Sequence, residues 1–363
     1  MTLYANYNKL VESIKSSFDV TAGYDYQYWK STTPLYSEMN TLGEIQKTSK
    51  AKDERHVLLS YYGRLNYSFD SRYMLTTTIR RDATSRFAKN VRWGTFPSVA
   101  LGWRVTEESF LKDNKVLSNL KLRASYGVTG QQDGIGNYNY LPIYTQSQNG
   151  AEASMGNGYI HTYRPSSYVP DLKWETTTSW NVGFDFGFLK DRITGSFDYY
   201  TRQTKDLIAT VPAAAGTTFD RNITTNVGNV DSQGIEFSIN ATPVQTKDWN
   251  WDITLNWGMN RTECVELDPT LKRFVLGETR VGKVVVDEGG RFGDIVSKAY
   301  KRNAEGRILI GDNGMPISES DKVIGNMTPD WTGSFSTALR YKNLSFNALV
   351  DVRAGGSFIS TTD

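Results

Sequence analysis

The chain has 363 residues, with 41 basic and 39 acidic side chains for a net charge of +2, and a single cysteine, Cys264. Near-neutrality removes the electrostatic case for a nucleic-acid partner, which needs a basic excess on one face. One cysteine cannot close an internal disulfide, so a disulfide-framed fold is excluded. No stretch approaches the roughly 18 consecutive apolar residues of a membrane-spanning helix, and residues 1–10 lack the apolar core of a secretion signal. A membrane β-barrel survives these exclusions, because its strands alternate and look hydrophilic on average. The figure that needs a cause is the 13% aromatic content, with 21 Tyr, 16 Phe and 9 Trp.

In chain order, period-two alternation predicts strands at about 1–9, 18–29, 56–68, 73–82, 96–105, 120–128, 178–188, 192–204, 233–243, 249–260, 332–341 and 344–353. In the second, Phe18, Val20, Ala22, Tyr24, Tyr26 and Tyr28 alternate with Asp19, Thr21, Gly23, Asp25 and Gln27. In the seventh, Val182, Phe184, Phe186 and Phe188 alternate with Asn181, Gly183, Asp185 and Gly187. In the tenth, Trp251, Ile253, Leu255, Trp257 and Met259 share one face. Such segments have one face in an apolar medium and one in a polar medium. Helical spacing is predicted only around 106–119, where Thr106 precedes an acidic first turn.

The connections alternate as well. Segments 10–17, 69–72, 106–119, 189–191, 244–248 and 342–343 are short or intermediate, whereas 30–55, 83–95, 129–177, 205–231 and 261–331 are long. In an up-and-down meander, every second connection lies on the same rim. The long loops therefore share one rim and the tight turns the other, as in an outer-membrane barrel. Strands of about ten residues match the length needed to cross a bilayer at a tilt, and interfacial girdles account for the Tyr and Trp excess. The fold class expected is all-β, an antiparallel up-and-down transmembrane β-barrel. Val182, Phe184, Phe186 and Phe188 are expected to face outer-membrane lipid, and Asp185 a wet lumen where replacement by Asn is close to neutral. A soluble β-protein whose aromatics pack a core is the plainer alternative.

Few residues suggest chemistry. His56 and His161 are the only histidines, so a His/Cys metal centre is not expected. Residues 277–284 (GETRVGKV) imitate a phosphate loop but carry Val284 where Ser or Thr would hold magnesium, and no helix follows. Asp312, Asn313, Glu319 and Asp321 are oxygen-rich, without the ordered spacing of an EF-hand calcium loop. The Asn-X-Ser/Thr triplets at Asn66, Asn222 and Asn260 carry little weight, since two of these run along or end a strand. No catalytic residue, cofactor or metal is expected. The long 129–177 loop holds Tyr138, Tyr140, Tyr144, Tyr159, Tyr163 and Tyr168 together with Arg164. The first five are the candidate substrate contacts, because aromatic faces beside amide and guanidinium donors suit sugars or peptides.

Residues 80–112 (RRDATSRFAKNVRWGTFPSVALGWRVTEESFLK), 123–132 (RASYGVTGQQ), 170–175 (PDLKWE), 228–236 (GNVDSQGIE) and 325–333 (GNMTPDWTG) resemble, in order, the barrel of SusC/RagA-type TonB-linked outer-membrane proteins. The resemblance covers nearly all of the chain. It implies a bacterial outer-membrane importer, not an enzyme, for large nutrients such as oligosaccharides or peptides in Bacteroidetes-type bacteria. It also implies a barrel of about 22 strands closed by a plug, a SusD-like lipoprotein lid and energy from the TonB–ExbB–ExbD complex. Against that pattern, residues 1–363 are expected to be part of a single barrel domain. The signal peptide, the plug and the C-terminal strands are expected to be absent, so that about twelve strands make an interior, partial barrel. A passive porin and a soluble β-rich binding or adhesion module are the competing readings.

Overall fold

The computed structural model describes residues 1–361 except 113, 147–151, 157, 214–221, 270 and 272. Twelve strands form one antiparallel sheet in which every strand pairs with its sequence neighbours in the series. They are β1 (Thr2–Val11), β2 (Ser16–Thr33), β3 (Lys52–Phe69), β4 (Tyr73–Thr84), β5 (Trp93–Arg104) and β6 (Leu117–Gln131). The series continues with β7 (Glu175–Phe188), β8 (Ile193–Lys205), β9 (Gly228–Gln245), β10 (Trp249–Leu267), β11 (Pro329–Tyr341) and β12 (Leu344–Gly355). Within this sheet β1 and β12 each have one neighbour, so it is open rather than closed into a barrel. No helix is long and apolar enough to cross a membrane among the described residues, which says nothing of strands.

The register turns the alternation into two chemically distinct faces. Directly opposed residues in an antiparallel pair share a face, so Gly102, Arg123, Gly183, Asp198, Glu236, Gly258, Thr332 and Arg353 form one row. The other face carries Val182, Phe184, Phe186 and Phe188 of β7, opposite Tyr199, Phe197, Gly195 and Ile193 of β8. From there it runs on to Ile235, Phe237, Ile239 and Ala241 of β9 and to Met259, Trp257, Leu255 and Ile253 of β10. Across these stretches the apolar face has no charged side chain. Aromatic pairs band it at two levels. Tyr24–Tyr61 and Tyr126–Trp180 lie at one, with ring centroids 5.4 and 4.5 Å apart; Phe18–Tyr67 and Trp249–Tyr341 lie at the other, at 4.9 and 4.3 Å. Tyr61 and Tyr67 are six residues apart on β3, about 20 Å along a strand.

The sorting of connections holds. Tight turns join β1–β2, β3–β4, β7–β8, β9–β10 and β11–β12 on one rim, and β5–β6 adds the intermediate 105–116 link there. These turns use left-handed backbone at Lys15, Asp70, Ser71, Lys190 and Lys342, which matches hairpin twist to strand twist. The helix expected at 106–119 does not form: Val105–Glu107 is a single 3-10 turn. The Glu108 carboxylate accepts the Tyr73 hydroxyl at 2.5 Å and the Trp103 indole N–H at 3.1 Å. Asn114 Oδ1 accepts the N–H groups of Val116 and Leu117, both at 2.9 Å, and β6 then begins. These side-chain bonds compete with helix propagation and win because the segment spans a gap between two strand ends.

The opposite rim is more structured than alternation predicts. It carries two-stranded hairpins such as Tyr36–Met39 with Ile45–Ser49, and a four-stranded sheet of Arg273–Glu278, Gly282–Asp287, Asp294–Tyr300 and Ser318–Asn326. Pairing of β5 with β6 stops at Ser98, next to Pro97, which has no N–H to continue the ladder. The gap above is filled by Phe96. A Cβ on Gly130 or Gly94 would come within 2.1 or 2.4 Å of its ring. Phe96 and Phe87 both meet Trp174 edge-on at 5.4 Å, and with Ile135 and Leu172 they make a buried core at the base of the long loops. A second core joins Cys264 and Leu267 of β10 to Val286 of the loop sheet.

Candidate functional site

The polar face is a wall of paired charges. Arg123 on β6 donates from Nε to both oxygens of Asp185 on β7 at 3.1 Å, and from Nη1 and Nη2 to the carboxylate of Asp198 on β8 at 3.1 and 3.0 Å. Gly183 leaves room for this fork, since a Cβ there would come within 2.5 Å of Asp198 Oδ1. On β4, Arg80 donates to both oxygens of Asp82 at 2.8 and 2.9 Å and to Ser60 Oγ at 2.8 Å. Next to the triad, Asp198, Glu236, Asn256, Thr332, Asp351 and Arg353 line a hollow of about 590 Å³. These bonds within the wall fix the charged side chains against one another.

The five candidate tyrosines do not form one surface. Tyr144 and Tyr163 share a face of the short hairpin Tyr144–Gln146 with Tyr163–Pro165, both exposed. Tyr159 is exposed on a different hairpin, opposite Ser154. Tyr138 and Tyr140 are half-buried, and the Tyr138 hydroxyl accepts the Arg55 N–H at 3.2 Å, tying the loop to β3. The phosphate-loop mimic is a hairpin turn in which Thr279 Oγ1 accepts the Gly282 N–H at 3.2 Å and Lys283 pairs with Glu278 at 3.0 Å. Asp321 pairs with Arg273 and Glu319 with Lys322, at 3.2 and 2.7 Å, and Lys322 holds the Glu319 carboxyl below its usual range. Among the described residues, no three His, Cys, Asp or Glu side chains converge as metal ligands would.

One arrangement escapes the alternation reading. Trp29 sits on the polar face of β2 directly opposite His56 of β3, and the two rings stack at 4.3 Å with 13° between planes. Two residues further up β3, Glu54 accepts from Asn137 at 3.5 Å, and Asn137 Oδ1 accepts from Arg86 Nε at 3.2 Å. The available signal was an aromatic residue in a polar register position, odd-numbered in a strand whose even positions are apolar.

Residues 2–363 match the family model described as TonB dependent receptor-like, beta-barrel. The chain is 44% identical to TonB-dependent receptor SusC of Bacteroides thetaiotaomicron, over 94% of this chain and 36% of that protein. It is 35% identical to TonB-dependent receptor P39 of Formosa agariphila, over 99% of this chain and 40% of the relative. The chain thus spans two fifths or less of the length of these relatives. Among solved structures, the RagAB peptide transporter superposes with a TM-score of 0.78 at 24% identity, covering 98% of this chain and 41% of that one, a likeness of fold.

Proposed function

Because the chain belongs to the TonB dependent receptor-like β-barrel family, a family of outer-membrane receptors and transporters rather than enzymes, we propose that its twelve strands are one arc of the wall of an active nutrient importer. Residues 2–363 matching that family is the observation that carries this reading. The apolar face, with Val182, Phe184, Phe186 and Phe188, meets lipid; the charged and amide-rich face lines the route of the solute. In lipid the free edges of β1 and β12 need further strands, since no water is present to satisfy their backbone groups.

The cargo in this proposal is a large hydrated nutrient, an oligosaccharide or a peptide, drawn in at the expense of TonB-delivered energy. The relatives' names favour this class, and the wall's balanced charge suits bulky neutral or zwitterionic solutes. Tyr138, Tyr140, Tyr144, Tyr159 and Tyr163 are contact candidates on the entry rim. A SusD-like lipoprotein is the proposed lid. The long-loop rim offers it apolar tips, with Leu42 81% and Met39 61% exposed on the 36–49 hairpin, which is more than an isolated water-facing loop warrants.

The test is uptake of fluorescent oligosaccharides and peptides by cells carrying the protein in their outer membrane, with and without a protonophore. Uptake abolished by the protonophore supports energised import. Uptake that persists unchanged would make the wall that of a passive pore.

A further inference from the structure

Tryptophan is distributed unevenly between the faces. Of the nine in the chain, seven lie on the apolar face of the sheet and Trp174 is buried in the core under the loops. Trp29 alone is on the polar face, and it is 41% exposed. It lies five residues above the Tyr24 girdle position, about 16 Å along the strand, at the rim that carries the long loops. An indole in a water-filled mouth costs hydrophobic free energy unless something covers it.

Its setting is specific. His56 backs one ring face and fixes the indole plane, so little freedom remains to be lost on binding. Beside it runs a chain of paired groups: Lys52 to Glu54, Glu54 to Asn137, Asn137 to Arg86, and Arg86 to Asp133 at 3.8 Å. Every charge in that chain has a partner. A site for peptide termini or acidic solutes would leave a cation or anion uncompensated; this one offers neutralised donors and acceptors at the edge of an aromatic plane. A pyranose ring has the complementary character, with C–H bonds on its faces and hydroxyls around its rim.

We infer that Trp29, seated on His56 and edged by Glu54, Asn137 and Arg86, is a stacking platform for a sugar ring of an oligosaccharide entering from the long-loop rim. The inference rests on the import reading and narrows its substrate class. The ring packs its C–H face on the indole. Its hydroxyls donate to Glu54 and accept from Asn137 and Arg86.

The experiment is calorimetric titration of the full-length protein in detergent with maltoheptaose, mannohexaose, xylohexaose and laminarihexaose, beside a pool of decapeptides. Protonophore-sensitive uptake of the same probes is measured in cells. One oligosaccharide is expected to bind, with Trp29→Ala weakening it about tenfold or more and Trp29→Phe about threefold or less. Trp180→Ala, on the apolar face, should leave the affinity unchanged. If Trp29→Ala fails to give the heat-modifiable folded band, Asn137→Ala carries the test, with an expected loss of about fivefold. Oligosaccharide binding indifferent to Trp29→Ala and Asn137→Ala, or binding of peptides alone, would overturn the platform while leaving import intact. Absence of energised uptake of every probe would overturn import and the platform with it.

Discussion

Neighbouring residues of β7 belong to chemically opposite faces. Phe184 stacks on Phe197 at 5.6 Å and meets Phe186 at a tilt at 6.1 Å, and Phe186 lies over Gly195, where a Cβ would come within 2.5 Å of its ring. One step along the chain, Gly183 and Asp185 belong to the ionic wall around Arg123. The apolar face is held by ring packing over small residues, and the polar face by directional bonds between distant strands. A one-residue register slip would exchange the two sets, so pairing is strongly specified wherever both media are present.

The sharpest way to break the comparison is to put a charge on the apolar side. Phe186→Arg should destabilise the folded protein in phospholipid vesicles by about 2–4 kcal/mol if the position lies near the bilayer midplane, read as the shift in urea unfolding. A cost near zero would mean that this face meets water, and the membrane assignment of both faces would fall.

On the polar side the largest effect belongs to Arg123→Leu. It leaves the Asp185 and Asp198 carboxylates facing each other without their shared cation, at a cost of about 1–2 kcal/mol, at the low end for a lost charged partner because the site is partly wet. Asp185→Asn keeps the shape and one acceptor, and should cost about 0.5–1 kcal/mol. That is small but above the near-neutral cost expected from alternation alone. The same urea titration ranks the three substitutions, and Asp185→Asn exceeding Phe186→Arg would invert the faces.

The difference between the two faces also explains what the sequence could reveal. Strand number, order and loop sorting are carried by period two and by chain length between strands, both local properties. The triad is not: Arg123 is 62 residues from Asp185 and 75 from Asp198, and only the register brings them together. Strand ends were read short on the long-loop side, as at β2, which continues to Thr33 through Lys30, Ser31 and Thr32. From Lys30 to Thr33 the residues on both faces are polar, so the alternation that marks a strand fades while the ladder with β3 continues. The loop sheet around Val284, Val285 and Val286 was missed because it packs on Cys264 and Leu267 from far along the chain. Trp29 was visible as a break in the pattern, but its stacking partner was not.

Where the apolar face ends at the tight-turn rim, Glu108 gives the smallest and most conditional effect. It collects the Tyr73 hydroxyl, the Trp103 indole N–H and Arg72 Nη1, the last at 3.2 Å. The Tyr73 hydrogen bond is the main cause holding its carboxyl below the usual range, with Trp103 next and the Arg72 charge assisting. A carboxyl lowered on folding stabilises the native state above its unfolded value of about 4.5, and that stabilisation is lost as pH falls through the lower folded value. The urea midpoint of the native protein should therefore drop between pH 6 and roughly pH 3. Glu108→Gln, which cannot titrate, should flatten this drop, so that the two proteins converge in acid. Gln still accepts from Tyr73 and Trp103, so at neutral pH only the charge is removed. Parallel curves across that range would show that the carboxylate is not ionised against Tyr73 and Trp103, and that the aromatic girdle at this rim is held by ring packing alone.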